Sequence, residues 1–371
     1  FVLIKLRNNI IGFFYRNTLQ KIYFLMDPES VHDKTVRMGK FLGSNFITRG
    51  LVSLKFNYSN KKLGQNILGL RFNNPVGLAA GFDKNIELVK ILPSVGFGFE
   101  EVGSVTGEPC EGNAKPRLWR LKKSKGLVVN YGLKNEGCKV LSEKLKKIRT
   151  KIPIGISIAK TNCKDTVDTN KGIADYFKAY SAFSAVGDYY TINISCPNAY
   201  GGEPFTDAKK LDKLFTKINS VPRNRPVFLK ISPDLSKKEI DGIIKVSQKH
   251  RIDGFICTNL TKKRDNKNII DEIVPEVGGM SGKIVGDLSD KLIRYIYSKT
   301  KGEFVIIGCG GISNAQDAYV KIRNGASLVQ LITGMIFEGP QLISDINLGL
   351  VKLMKRDGFE NISEVIGVDV K

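Results

Sequence analysis

A (β/α)8 TIM barrel with a small N-terminal helical extension is the α/β fold predicted by three features of this 371-residue chain. The first is a set of eight short β-rich runs separated by helical stretches: Pro75–Ala80, Gly98–Val105, Ile154–Ala159, Tyr189–Ile194, Val227–Ile231, Gly254–Thr258, Phe304–Gly308 and Leu328–Thr333. Alternation of this kind builds a parallel sheet buried on both faces. The second is that each run ends in residues unsuited to a core: Gly81 to Lys84, Ser104 with Thr106, Lys160, Asn193 with Cys196, Lys230, Thr258-Asn259, Gly310-Gly311 and Thr333-Gly334. Barrel enzymes carry their chemistry at the C-terminal ends of the strands, so eight polar ends imply one polar mouth. The third is the Gly308-Cys-Gly-Gly-Ile312 loop followed by Thr333-Gly334, whose exposed backbone N–H groups suit a phosphate. A tight turn is the plainer use of the glycine pair alone.

The elements follow in order. Phe1 to Met26 carries Lys5, Arg7, Arg16 and Lys21, no acid, and an apolar patch from Ile10 to Tyr15. Charge interrupts it too often for a spanning helix, which needs about 20 apolar residues. It has no small-residue cleavage site for a secretory signal. A basic amphipathic helix lying in a membrane interface and an ordinary helix packed on the barrel both remain open. The missing initiator Met suggests a trimmed sequence. Asp27-Pro28-Glu29-Ser30 is a helix start, and that helix is expected to reach about Leu42. The polar, basic stretch up to residue 62 reads as a linker, and Leu63–Phe72 as a hairpin turning at Leu68-Gly69. The division is therefore 1–45 helical segment, 46–62 linker and 63–371 barrel.

Composition narrows the function. Hydrophobic content of 42% and charged content of 25% belong to a globular protein. The net charge of +22 is spread along the chain, with no basic arm or zinc-finger spacing. Phosphates and an anionic membrane surface are the expected attractants, and nucleic acid is not. The six cysteines show no metal-ligand or iron–sulfur spacing, and two histidines make a zinc site improbable, so no metal is expected. Cys257 and Cys309 are expected in the core.

The chemistry concentrates at Asn193-Ile-Ser-Cys-Pro-Asn198. A thiol has an ordinary pKa of about 8.5 and can serve as a base. Carboxamides offer paired donors and acceptors to a planar, amide-like ligand. The combination suggests removal of a weakly acidic proton from a small heterocycle. Lys230, inside an apolar strand, needs an anionic partner or the N1/O2 edge of a flavin.

Read in order, Ala79-Ala-Gly-Phe-Asp-Lys84, Gly103-Ser-Val-Thr106, Lys115-Pro-Arg-Leu-Trp-Arg120, Asn193–Asn198, Lys230-Ile-Ser-Pro-Asp-Leu235, Thr258-Asn259, Gly279-Met-Ser-Gly282, Gly308–Gly311 and Leu328-Val-Gln330 resemble the dihydroorotate dehydrogenases. The Asp27–His32 segment resembles their membrane-associated, quinone-reducing class. The resemblance implies oxidation of dihydroorotate to orotate in pyrimidine (UMP) biosynthesis, at the cytoplasmic face of the cell membrane as a peripheral protein. It implies FMN held by Ala80, Gly81, Lys84, Ser104, Ser157, Asn193, Lys230, Thr258, Gly282, Gly311 and Thr333. Substrate would be held by Lys84, Asn130, Leu133, Asn193, Asn198 and Asn259, with Asn135 the alternative to Asn130. Cys196 would take the proton from ring carbon five while hydride leaves carbon six for the flavin, and His32 and Arg120 would line the quinone side. Ile332 replaces a tyrosine typical of the quinone-using class, and a cysteine base and the Ala199–Glu203 loop resemble the soluble classes, which pass electrons to fumarate or NAD. That acceptor stays open as the alternative, as does another FMN barrel reducing dihydropyrimidines.

Overall fold

The computed structural model describes residues 2–370. The chain opens with helices α1 (Val2–Phe14), α2 (Gln20–Leu25), α3 (Pro28–Ser44) and α4 (Phe46–Phe56), α1 and α2 being joined by a π-helical turn at Tyr15–Leu19. The hairpin pairs β1 (Gln65–Ile67) with β2 (Leu70–Phe72). Its turn sits at Leu68 and Gly69, with φ of 50° and 79°, the left-handed pair that a two-residue hairpin requires.

Two sets of strands follow. The barrel strands are β3 (Val76–Leu78), β4 (Phe99–Val105), β7 (Ile154–Ile158), β8 (Tyr189–Asn193), β9 (Val227–Ile231), β10 (Gly254–Cys257), β12 (Val305–Cys309) and β13 (Leu328–Leu331). They close in the order β3-β4-β7-β8-β9-β10-β12-β13, with parallel pairing at every seam, and β13 meets β3. All eight expected runs are strands. Between them lie β5 (Leu118–Leu121), β6 (Gly126–Val129) and β11 (Gly279–Gly282), which form a separate antiparallel sheet in the order β11-β6-β5. Sequence reading misses this sheet because its strands are only four residues long and β11 reaches the local β5–β6 hairpin from far along the chain. Its small core is Leu121, Val128, Met280 and Ile284.

The barrel interior is layered. Phe99, Tyr189, Phe228, Ile256, Ile307 and Leu328 fill the bottom, where Phe72 of the hairpin plugs it. Above them a polar group replaces the branched side chains usual in such interiors. Glu101 accepts hydrogen bonds from Thr191 Oγ1 at 2.9 Å and Gln330 Nε2 at 3.2 Å.

The N-terminal helices depart from expectation in two ways. Where a linker was expected, residues 46–56 are helical, because Asn45 caps the turn by accepting from the Ile47 amide and Ile47, Leu51 and Leu54 recur at helical spacing. The helix that follows Asp27 runs to Ser44, and the Asp27 carboxylate caps it by accepting from the Ser30 amide at 2.8 Å. Meanwhile α1 is inverted relative to an ordinary packed helix. Its buried residues are Asn8 and Gly12. Asn8 Nδ2 donates to Ser344 Oγ at 3.0 Å and to Asp345 Oδ1 at 2.8 Å on the helix Leu342–Asp357. Its apolar residues Leu3, Leu6, Ile10 and Phe13 face outward, each at least 54% exposed.

One buried ion pair ties α3 to the barrel. Glu29 receives Arg117 Nε at 3.0 Å and Nη2 at 2.8 Å, and both side chains are no more than 5% exposed. Burial pushes the Glu29 carboxyl up, but the Arg117 bond and charge, helped by Lys115 and Lys134, more than reverse this and leave it at about 2. Breaking a buried pair leaves an uncompensated charge, which costs about 3–5 kcal/mol. Glu29→Ala is therefore expected to lower the unfolding free energy by about that amount in urea denaturation at neutral pH. Because the folded pKa is depressed, the pair's contribution is present above the ordinary carboxyl value of 4.5 and disappears as pH falls through about 2. The gap between wild type and Glu29→Ala should close over that acid range, and a constant gap would contradict the ion-pair account.

Candidate active site

The strand ends open into one cavity of about 520 Å³ that continues beneath the N-terminal helices. Its inner wall carries Ala80, Gly81, Ser104, Asn193, Lys230, Thr258, Cys309 and Gly311, and its outer end carries Tyr15, Leu19, Phe24, His32 and Met38. Cys196, Asn198, Asn259, Lys84, Leu133, Gly282, Thr333 and Arg120 also line it. Polar strand ends and the helical segment therefore share a single space, which barrel closure creates from residues as far apart in sequence as Tyr15 and Pro340.

The polar groups are held in fixed orientations. Asn193 Nδ2 donates to Ser104 Oγ at 2.9 Å, and its Oδ1 accepts from the Ser195 amide and from Asn259 Nδ2, both at 3.2 Å. Asn198 Nδ2 donates to the Val129 carbonyl at 2.8 Å. Lys230, 4% exposed, lies above the Glu101 carboxylate, which is itself pushed up by burial and drawn down by the Lys230 charge. Lys84 does not pair with Asp83. That carboxylate is buried and accepts from the Glu87 and Leu88 amides, while the Lys84 ammonium stands 4.1 Å from the Tyr131 ring centroid. Burial lowers the Lys84 pKa to about 7. An anionic ligand beside it would restore the charge.

Burial pushes the Cys196 thiol up to about 11, opposed by the Asn198 backbone bond and the Lys160 charge and reinforced by Glu203. Lys160 is fixed beside it by donating to the Tyr200 carbonyl at 2.6 Å. On the opposite side, burial and the Lys84 charge lower His32 to about 4, so its ring is neutral at working pH. Its Nε2 faces the Phe82 carbonyl at 2.9 Å. Arg120 Nη1 donates to the Met26 carbonyl at 2.8 Å, and its guanidinium sits 4.8 Å from the Phe24 ring centroid.

Two residues expected at the cofactor or substrate sit at the edge of the cavity lining and not in it. Ser157 is fully buried behind Ser104, Oγ to Oγ 2.8 Å, and does not line the cavity. Asn130 lies between the lining residues Val129 and Tyr131, with its Oδ1 accepting from Asn113 at 3.1 Å. The alternative, Asn135, is buried with its carboxamide spent on the Thr106, Leu133 and Gly137 backbone and the Thr106 hydroxyl. Cys309 lines the cavity and is not a core residue as expected. All six cysteines are free thiols. Sequence reading missed Tyr131, Asn113 and Glu29, which sit in loops or helices whose spacing carries no chemical signature.

The inner wall has the features of a phosphate site. Gly81, Gly282, Gly310 and Gly311 have φ of 110°, 81°, 120° and 79°. A Cβ on Gly282 would lie 2.4 Å from the Lys125 carbonyl, and one on Gly311 2.3 Å from Gly286 Cα. Backbone alone fits there, which suits close approach to a phosphate. Thr333 Oγ1 and Ser281 Oγ, 2.8 Å apart, add hydroxyls.

The pattern of the dihydroorotate dehydrogenase family matches residues 62–354. The chain belongs to the dihydroorotate dehydrogenase family. It is 36% identical over 316 residues to the dihydroorotate dehydrogenase (quinone) of Haloarcula marismortui, covering 85% of this chain and 88% of that one. It is 36% identical over 352 residues to the enzyme of the same name from Natronomonas pharaonis, covering 95% and 98%. The fold matches a crystal structure of dihydroorotate dehydrogenase from Eimeria tenella in complex with ferulenol, with a TM-score of 0.81 and 30% identity over 92% of this chain and 96% of that one. Family membership carries oxidation of dihydroorotate in pyrimidine biosynthesis. The similarity to quinone-type relatives extends through the N-terminal helices, so Cys196 does not place this dihydroorotate dehydrogenase among the fumarate- or NAD-linked classes.

Proposed function

We propose that this chain oxidises dihydroorotate to orotate with bound FMN and a membrane quinone, as a peripheral protein on the cytoplasmic face of a membrane. The observation that carries the reading is the single cavity joining Cys196, Lys84 and the asparagines to the tunnel-like end at His32 and Phe24. FMN would be held by Ala80, Gly81, Ser104, Asn193, Lys230, Thr258, Gly282, Gly311 and Thr333, with Ser157 acting through Ser104. Bound there, the flavin supplies the two-electron acceptor.

The remaining roles belong to the chain. Lys84 offers its ammonium to the substrate carboxylate, and the ligand's negative charge keeps that ammonium protonated. Asn130, Leu133, Asn193, Asn198 and Asn259 hold the ring, and Cys196 Sγ accepts the proton lost from it. Lys160 supplies positive charge next to the thiolate as it forms. Residues 1–45, extended by α4, form the quinone-side segment, with His32 and Arg120 at the inner end.

No helix among the described residues is long and apolar enough to cross a membrane. Attachment is therefore read from surface. Leu3, Leu6, Ile10, Phe13, Phe41, Phe46, Ile47, Leu51 and Leu54 are more than half exposed on the helical segment. An apolar face of this extent marks an interaction site, and next to a net charge of +22 an anionic lipid surface is its natural partner. No role for nucleic acid is needed.

The discriminating experiment reduces purified enzyme with dihydroorotate and follows flavin reoxidation by a soluble quinone and by fumarate. Rapid reoxidation by quinone, with fumarate at least about 10-fold slower, is expected. Turnover with fumarate alone would reverse the choice of acceptor.

A further inference from the structure

Asn113 lies in the loop before β5, outside the cavity wall, yet it joins three loops at the cavity mouth. Its Nδ2 donates to the Asn198 carbonyl at 3.0 Å and to Asn130 Oδ1 at 3.1 Å. Its Oδ1 accepts from Asn162 Nδ2 at 2.9 Å. Asn162 in turn donates to the Gly132 carbonyl at 3.1 Å and accepts from the Tyr200 amide at 2.7 Å. Below, the Asn113 carbonyl accepts from Arg117 Nη1 at 2.8 Å, and Arg117 is the partner of Glu29. The packing leaves no slack, since a Cβ on Gly132 would lie 2.5 Å from Asn113 Oδ1 and 2.6 Å from Asn162 Nδ2.

Backbone carbonyls dictate which way these carboxamides point. A carbonyl only accepts, so the Asn113 atom facing the Asn198 carbonyl must be the NH2. The Asn130 atom facing that same NH2 must then be Oδ1, and the Asn130 NH2 has no protein partner among the described residues. Asn198 is oriented by the same logic: its NH2 faces the Val129 carbonyl, which leaves its Oδ1 without one. The two side chains therefore present opposite polarity, a donor at 130 and an acceptor at 198.

We infer that Asn113 is a positioning residue that sets the donor half of this polarity at Asn130, opposite the acceptor that the Val129 carbonyl fixes at Asn198, so that the cavity selects a ring edge carrying a carbonyl beside an N–H, as in a cyclic amide. The inference rests on the proposed roles of Asn130 and Asn198 in substrate binding. In the Asn113→Asp variant the side chain can only accept. It draws the Asn130 NH2 towards itself, turns the Asn130 carbonyl to the ligand and opposes the Asn198 carbonyl. An acceptor facing an acceptor in a desolvated site is strongly rejected.

The test titrates orotate into the flavin-loaded enzyme by absorbance perturbation, for wild type, Asn113→Asp, Asn130→Ala and the double variant. Asn113→Asp is expected to raise the orotate Kd about 10- to 100-fold and the dihydroorotate KM in parallel, leaving the quinone KM within about twofold. Because Asn113 acts through Asn130, the same change should cost under about fivefold in the Asn130→Ala background. Equal costs in both backgrounds, or unchanged affinity in Asn113→Asp, would overturn the inference. If Asn113→Asp does not fold, Asn113→Ala removes the donor without adding charge, with an expected loss of about 3- to 10-fold; an affinity unchanged there would overturn it as well. Failure of wild type to bind orotate, or full affinity in Asn130→Ala, would instead sink the substrate-site reading, and the inference with it.

Discussion

Cys196→Ala is expected to bind FMN normally and to lose about 10²- to 10⁴-fold in the rate at which dihydroorotate reduces the flavin, measured by anaerobic stopped flow. A positioned base is worth that much, and no other thiol at the cavity can replace it. Cys309 lies across the barrel on β12, where it lines the inner wall. The pH profile supplies a second readout. With the thiol pushed up to about 11, only about one molecule in 10⁴ carries a thiolate at pH 7 before substrate binds. The active form is the deprotonated one, so the reduction rate should climb with pH through the neutral range and level off at the pKa of the complex. Cys196→Ala should show no such rise. Cys196→Ser should fall between the two, because a hydroxyl is a weaker acid than a thiol and is deprotonated in fewer molecules. Loss of less than about 10-fold in the alanine variant would remove Cys196 from the mechanism.

The second large effect concerns the helical segment. Removing residues 1–26 is expected to leave reduction by dihydroorotate within about threefold of wild type while turnover with a long-chain quinone falls at least about 100-fold. The physical reason is loss of the tunnel walls Tyr15, Leu19, Tyr23 and Phe24, together with the exposed apolar face of α1. Cosedimentation with anionic phospholipid vesicles should weaken in parallel. The cut falls before Asp27 by design. Deletion through Leu42 would also remove Glu29 and leave Arg117 buried without its carboxylate, which mixes a folding defect into the result. If dihydroorotate can no longer reduce the flavin in the shorter truncation, the two ends of the cavity are not separable and the division of labour proposed here is wrong.

The strands of the barrel were readable because each is a local object. A run of three to seven mostly apolar residues, a polar end and a helical connection signal a strand without reference to any distant partner. The site residues at those ends were readable for the same reason, since barrel closure sends every C-terminal strand end to one mouth. Ser157 shows where this reasoning stops: a strand residue at the expected position can point at its neighbour Ser104 instead of the cavity. The fifth, sixth and eleventh strands show another limit. Leu118–Leu121, Gly126–Val129 and Gly279–Gly282 gain their meaning only by pairing with one another over the barrel.

Taken alone, the amino-acid order determined the fold class, the thiol-and-carboxamide chemistry and the basic helical start, because those depend on residue type and short-range periodicity. Tertiary structure decided which face of α1 turns outward, that Asn135 is consumed within its own neighbourhood, and that Asn113 governs the polarity of the Asn130 carboxamide. Each of those outcomes depends on which polar atoms find partners once the chain has closed, and hydrogen-bond satisfaction is a property of the assembled neighbourhood that no stretch of sequence carries by itself.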